Sequence, residues 1–269
     1  LLEDAGRHSK RAIQIDQSLV AAKMNLANIE LGKGNINQAI TLFTEITNEA
    51  PRYQEAKANL ALAFRNIGNV EGSLNTYKKV NFQGPWSLKA AFNYSITLIA
   101  SGSFEEGWKN YEYRWKVFPM NKVTRPFQDK PIWKGERGKR VVLWKEQGIG
   151  DQIIFLSLVQ EVKEMCKTLS VYVDPRLEPL CRRAMPEINF ILDEKILKRE
   201  KCDYHLPLQS LGGLLRNDIA DFDRTVKGYL KADPERVEAI RTELNLEGKT
   251  AIGISWRSFT TSYKKKSIQ

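Results

Sequence analysis

The chain has 269 residues, of which 42% are hydrophobic and 28% charged, a globular rather than a disordered composition with room for one large domain or two modest ones. Apolar runs such as Val141–Trp144 and Ile153–Leu156 are far short of the roughly 18–20 residues of a membrane span, and the first residues alternate charged and apolar, unlike a secretory signal. The net charge of +10 points to an anionic partner without saying which.

The three cysteines (Cys166, Cys181, Cys202) are odd in number and widely spaced. This pattern excludes a disulfide framework and a Cys-x-x-Cys metal or redox motif, and it suits a reducing cytoplasm.

Along the first half the chain aligns on itself with a period of 34 residues. Asn25, Asn59 and Asn93 fall in register, as do Ala22, Ala56 and Ala90; Gly34, Gly68 and Gly102; Phe43, Tyr77 and Tyr111; and Pro51, Pro85 and Pro119. Each unit reads as a helix with small residues for close packing, a glycine turn, a second helix with an aromatic in the seam, and a proline that ends the unit. This pattern resembles the tetratricopeptide repeat. The expected units are 21–54, 55–88 and 89–122, preceded by a partial unit over 1–20 in which Ala5–Asp16 is the second helix.

Stacked hairpins present a concave face, and protein or peptide is the expected occupant. Asn25, Asn59 and Asn93 are candidates for hydrogen bonds to a peptide backbone there, or for capping or bonds between repeats. In the last unit Trp108, Tyr111 and Trp115 share one helix face. That face reads as an aromatic ligand box or as the surface that docks the array onto the next domain.

Residues 121–139 read as a basic linker, and the stretch 121–150 carries about half of the net positive charge. It is read as solvated surface. A nucleic-acid or membrane-surface contact is the weaker alternative, since no nucleic-acid motif is present and no specific nucleic acid is expected.

From residue 140 the period changes. Strands are expected at Arg140–Trp144, Leu169–Val173, Ile188–Leu192 and Tyr204–Leu206, and helices at Gln152–Lys167, Pro175–Ala184, Glu194–Glu200 and Pro234–Leu244, the last capped by Asp233. Alternating strands and helices imply a Rossmann-like parallel sheet with helices on both faces over 140–248. Thr250–Trp256 is expected as a further strand, and 249–269 as the start of a truncated second α/β lobe.

The turn Gly148-Ile149-Gly150-Asp151 sits where ligands gather in parallel sheets, at the carboxyl end of a strand and the start of a helix. The dinucleotide fingerprint fails at Ile153, and the Gly-Lys-Ser/Thr of a phosphate loop is absent. Asp151 is placed to accept a proton from a hydroxyl, or to cap the helix while Gly148 and Gly150 shape the turn. His205, with only His8 as a possible partner, reads as a structural residue before a base or metal ligand, and no metal site is expected.

The string from Trp144 to Phe155 resembles bacterial tetratricopeptide proteins that carry a glycosyltransferase-like domain. Phe104–Trp108, Tyr113–Trp115, Pro131–Gly135, Cys202–Leu211, Tyr229–Pro234 and Ile252–Trp256 follow in the expected order. The domain looks like the acceptor-side, N-terminal lobe of the two-lobed GT-B glycosyltransferases, closest to the heptosyltransferase-like group. The resemblance implies inverting transfer from a nucleotide-sugar donor to a protein or glycan acceptor without an essential metal or cofactor. Asp151 would be the catalytic base, and Glu146, Gln147, Gly148 and Gly150 the acceptor pocket. Arg257, Lys264 and Lys266 would be at most partial contacts to the donor phosphates, or else a frayed basic tail. This reading leans towards an enzyme in the full-length parent, with the fragment itself inactive. The alternative is a non-catalytic interaction scaffold.

Overall fold

The computed structural model describes residues 2–117, 126–225, 228–246 and 248–253. Helix α1 (Leu2–Ile15) packs on α2 (Val20–Lys33), and three hairpins follow: α2 with α3 (Ile36–Glu49), α4 (Gln54–Asn66) with α5 (Val70–Tyr77), and α6 (Ser87–Ala100) with α7 (Phe104–Tyr111). The second helices of the hairpins therefore start 34 residues apart. Gly34, Gly68 and Gly102 end the first helices at φ +85°, +83° and +85°, a left-handed conformation that side chains with a Cβ adopt only at a cost.

The next residue but one begins each second helix, after Asn35, Asn69 and Ser103. This column is in the same register, and Asn69 caps through its side chain onto the Gly72 amide. Ala22, Ala56 and Ala90 are buried at the helix crossings, and Phe43 and Tyr77 fill the seams.

A short helix, α8 (Arg114–Val117), closes the array. Pro119 and the rest of 118–125 lie outside the described residues. Residues 126–139, expected as linker, pack on the second unit. Phe127 and Trp133 are buried, and Ile132 bridges His205 in parallel fashion.

The second unit is built on four parallel strands, β1 (Arg140–Trp144), β2 (Thr168–Tyr172), β3 (Asn189–Ile191) and β4 (Tyr204–Pro207), in the order β3-β2-β1-β4. β1 is interior and nearly all buried, which is why it reads as an unbroken apolar run. The two faces are covered unequally. Val141 and Leu143 join the main core with α9 (Ile149–Leu156), α10 (Val159–Met165), α11 (Glu178–Ala184) and α13 (Leu211–Leu215). Val142 faces a smaller cluster of Phe127, Ile191, Leu197 and Cys202, which α12 (Glu194–Leu197) covers.

The helix expected over Gln152–Lys167 is two helices. Ser157 Oγ donates back to the Ile154 carbonyl at 2.6 Å, and the amides of Ser157 and Leu158 reach three residues back instead of four, which breaks the run. The last helix, α14 (Pro234–Glu243), is capped by Asp233 onto the Arg236 amide. Residues 250–253, expected to open a strand, pair with neither edge of the sheet and are exposed. The remainder of that strand lies outside the described residues, as do Arg257, Lys264 and Lys266.

Candidate functional site

The carboxyl ends of the strands carry the site. β1 is followed by β2 and β3 on one side, and the chain then returns to place β4 on the other. The strand order thus reverses between β1 and β4, where an open α/β sheet ordinarily leaves a ligand crevice.

That crevice is lined by the last elements of the repeat array. Trp108 lies against Gly212 and Gly213, so closely that a Cβ on Gly212 would meet its ring at 2.7 Å. Its indole N–H donates to the Arg216 carbonyl at 2.7 Å. Tyr111 Oη donates to Gln209 Oε1 at 2.9 Å, and Trp115 packs on Trp144. Because α7 ends at Tyr111 and Trp115 lies on α8, the three do not share one helix face as expected; of the two readings for these aromatics, docking is the one these contacts fit.

Glu146 turns into this seam. Arg114 Nε and Nη2 donate to its two oxygens at 2.9 Å each. Burial raises the Glu146 pKa against the attraction of Arg114. Desolvation also opposes the Arg114 charge, but the bonds and charges of Glu146 and Glu112 together outweigh it and hold the guanidinium charged. Burial pushes the Tyr111 phenol up to about 12, so it remains a donor.

Asp151 stands in the first turn of α9, half-buried. It is not the cap: the residue before the helix is Gly148, which has no side chain to offer. Instead the Asp151 carboxylate folds back toward Gly148, where a Cβ would lie 3.4 Å from Oδ2, in the positive end of the helix dipole. Gly148 and Gly150 do not take positive φ, so the turn does not need them for its conformation. A Cβ on Gly150 would meet nothing within 4 Å, which leaves bare backbone beside Asp151.

A cleft of about 240 Å³ opens on the other side of the same turn. Glu146 and Gln147 line it with Lys145, Gln152, Tyr172 and Asp174; Gly148, Gly150 and Asp151 do not. The Lys145 ammonium sits 4.7 Å from the centre of the Tyr172 ring and 3.9 Å from Asp174. Hydrogen bonds from Arg176 hold the Asp174 carboxyl at about 2. The buried Gln152 donates to the Gln147 carbonyl at 3.1 Å and accepts from the Asp174 amide at 2.9 Å, tying the β1 and β2 ends together. In the sequence Gln152 reads only as the first residue of the expected helix Gln152–Lys167.

His205 is buried under Trp144, whose indole N–H donates to Nδ1 at 3.0 Å. Nδ1 is therefore the acceptor, and Nε2 carries the proton toward the Lys130 carbonyl, 3.2 Å away. This is a structural histidine. No cluster of three His, Cys, Asp or Glu able to hold a metal occurs among the described residues.

On the array, α2, α4 and α6 line a groove of about 370 Å³. Asn59 and Asn93 are in it, and Asn25 is exposed outside it. Asn28 takes its place and accepts from Asn59 Nδ2 at 2.9 Å. Asn25 and Asn28 share a helix face one turn apart, and Asn28 is the one of the two that lines this groove.

Fold and site together define a helical-hairpin array of tetratricopeptide type joined through a packed seam to a small parallel α/β unit. No family model matches the chain. Protein FlbA of Caulobacter vibrioides is 26% identical over 249 residues, covering 84% of this chain and 41% of that protein. The chain thus spans about two fifths of the length of the curated relative it matches. Among solved structures, MamA from Desulfovibrio magneticus superposes at a TM-score of 0.39 with 15% identity, over 45% of this chain and 68% of that one. An O-GlcNAc transferase mutant from Thermobaculum terrenum gives 0.40 and 16%, over 71% and 38%. No helix among the described residues is long and apolar enough to cross a membrane.

Proposed function

We propose that this chain is the acceptor-side part of a GT-B-type glycosyltransferase, with its repeat array presenting a protein acceptor. The observation that carries the reading is Asp151. Its carboxylate sits at the carboxyl end of the central strand, beside bare glycine backbone, and makes no hydrogen bond or ion pair among the described residues. A carboxylate so placed accepts the proton of an acceptor hydroxyl as that oxygen attacks the anomeric carbon of a nucleotide sugar; the glycosidic bond to the diphosphate breaks, and the nucleotide diphosphate leaves. The motif order around Trp144–Phe155 supports the same reading. The groove with Asn59 and Asn93 supports a peptide-like acceptor on the array. Glu146, engaged by Arg114, takes a framework role in place of acceptor contact.

The test is sugar transfer by the full-length gene product, with nucleotide sugars as donors. Asp151→Asn is expected to lower kcat by about 10²–10⁴-fold; transfer at the wild-type rate would remove Asp151 as the base.

One observation favours the second reading, a non-catalytic interaction scaffold: array side chains already line the crevice between β1 and β4. Retention of protein partners together with no binding of any nucleotide sugar by the full-length product would select it.

A further inference from the structure

The segment that leaves β1 and enters α9 draws part of its support from the other unit. Arg114, on α8, is 2% exposed, and the Glu146 side chain 4%. Besides its fork onto Glu146, Arg114 donates through Nη1 to Glu112 Oε1 at 2.7 Å and through Nη2 to Ser210 Oγ at 2.7 Å. Ser210 Oγ in turn donates to Glu112 at 2.8 Å. The guanidinium lies 4.7 Å and 4.6 Å from the ring centres of Tyr111 and Trp115. Gln147 Nε2 approaches Tyr111 Oη at 3.5 Å. A fifth bond runs from Nη1 to the Tyr111 carbonyl at 3.3 Å, so every donor of the planar fork has a direction fixed by its partner. Glu146, which receives two of them, stands five residues before Asp151.

We propose that Arg114 is a positioning residue: a side chain of the repeat array that holds the Glu146–Asp151 turn and so sets where the Asp151 carboxylate stands. This rests on the transfer reading above. Lysine cannot replace it, because one point charge cannot serve both Glu146 oxygens, Glu112 and Ser210 in a single plane. The array then does more than recruit an acceptor; its last helix frames the reacting group.

The test is Arg114→Lys in the full-length protein, read by amide hydrogen exchange and by steady-state transfer. Protection is expected to fall over residues 145–152 and to stay unchanged over β2, 168–172. Transfer kcat is expected to fall about 100-fold, as a small misplacement of a reacting group does, with the acceptor KM unchanged. Glu146→Gln, which keeps the shape and one acceptor, is expected to give the same local loss in weaker form. Wild-type protection over 145–152 in Arg114→Lys would overturn the proposal. So would loss over β2 as well, which would make Arg114 a general support, and so would wild-type kcat despite a loosened turn. If the wild-type protein transfers no sugar, the transfer reading fails on its own account, and the exchange data alone decide whether Arg114 holds the turn.

Discussion

The second helices of the hairpins carry an aromatic in the same register, yet Phe43, Tyr77 and Tyr111 meet three different surroundings. Phe43 is wholly enclosed by its own and neighbouring repeats. Tyr77 is enclosed too, among Phe82, Tyr94 and Val80, and its hydroxyl finds no partner among the described residues. Tyr111 extends its hydroxyl out of the array to Gln209. A repeat column therefore specifies a place in a solenoid, while the neighbour decides what that place does. In the first two hairpins the neighbour is another hairpin; in the third it is the α/β unit.

The largest expected effect lies in the seam that exists only in the third hairpin. Arg114→Met leaves Glu146 buried and unpaired, which should lower stability by about 3–5 kcal/mol. Adding Glu146→Leu should restore most of it, since an apolar pair needs no desolvation of charge. Urea titration of the two single variants and the double variant measures the coupling. A double variant no more stable than Arg114→Met would mean that the pair is not what holds the seam.

Glycines sharpen the same contrast at smaller scale. Alanine at Gly212 places a Cβ 2.7 Å from the Trp108 ring and should cost about 1–3 kcal/mol through overpacking. Alanine at Gly32, where a Cβ meets nothing within 4 Å, should gain about 0.5–1 kcal/mol from helix propensity. Thermal unfolding of the two variants should shift in opposite directions.

The two tyrosines should also differ in sign. Tyr77→Phe removes a buried hydroxyl with no partner and should stabilise by about 1 kcal/mol, whereas Tyr111→Phe breaks the bond to Gln209 and should cost about as much. Equal effects from both would mean that the Tyr77 hydroxyl has a partner in solution.

How much of this was legible in the sequence follows from the range of the interactions. Gly34, Gly68 and Gly102 announced their turns because left-handed backbone is a local demand that glycine meets. β1 announced itself because an interior strand is apolar on both faces. The Ser157 break did not, because a hydroxyl returning to its own helix carbonyl looks like any exposed serine. The Arg114–Glu146 fork joins residues from two units, and nothing in either neighbourhood marks the partner. Glu146 does line the cleft at the β1 end, but its engagement by Arg114 is not legible locally, and periodicity does not carry the side-chain direction that puts Asn28 in the groove of the array.

The smallest expected effect compares two carboxylates of opposite character. Asp203, at the start of β4, accepts from the Arg140 amide and side chain, and those bonds hold it at about 2. Because its folded value lies below the unfolded one, near 3.8, it contributes stability at higher pH that is lost as pH falls from about 4 to about 2. Glu146 runs the other way. Burial raises its value, so the folded state binds its proton more tightly than the unfolded chain does, and protonation in acid favours folding at that one group. Urea midpoints between pH 5 and pH 2.5 should therefore decline less steeply for Asp203→Asn than for the wild type, and more steeply for Glu146→Gln. A parallel decline in all three proteins would place the acid sensitivity elsewhere. A change for Asp203→Asn alone would mean that Glu146 binds its proton equally well in the folded and unfolded chains, and a gentler decline for Glu146→Gln would mean that Arg114 holds its folded value below the unfolded one.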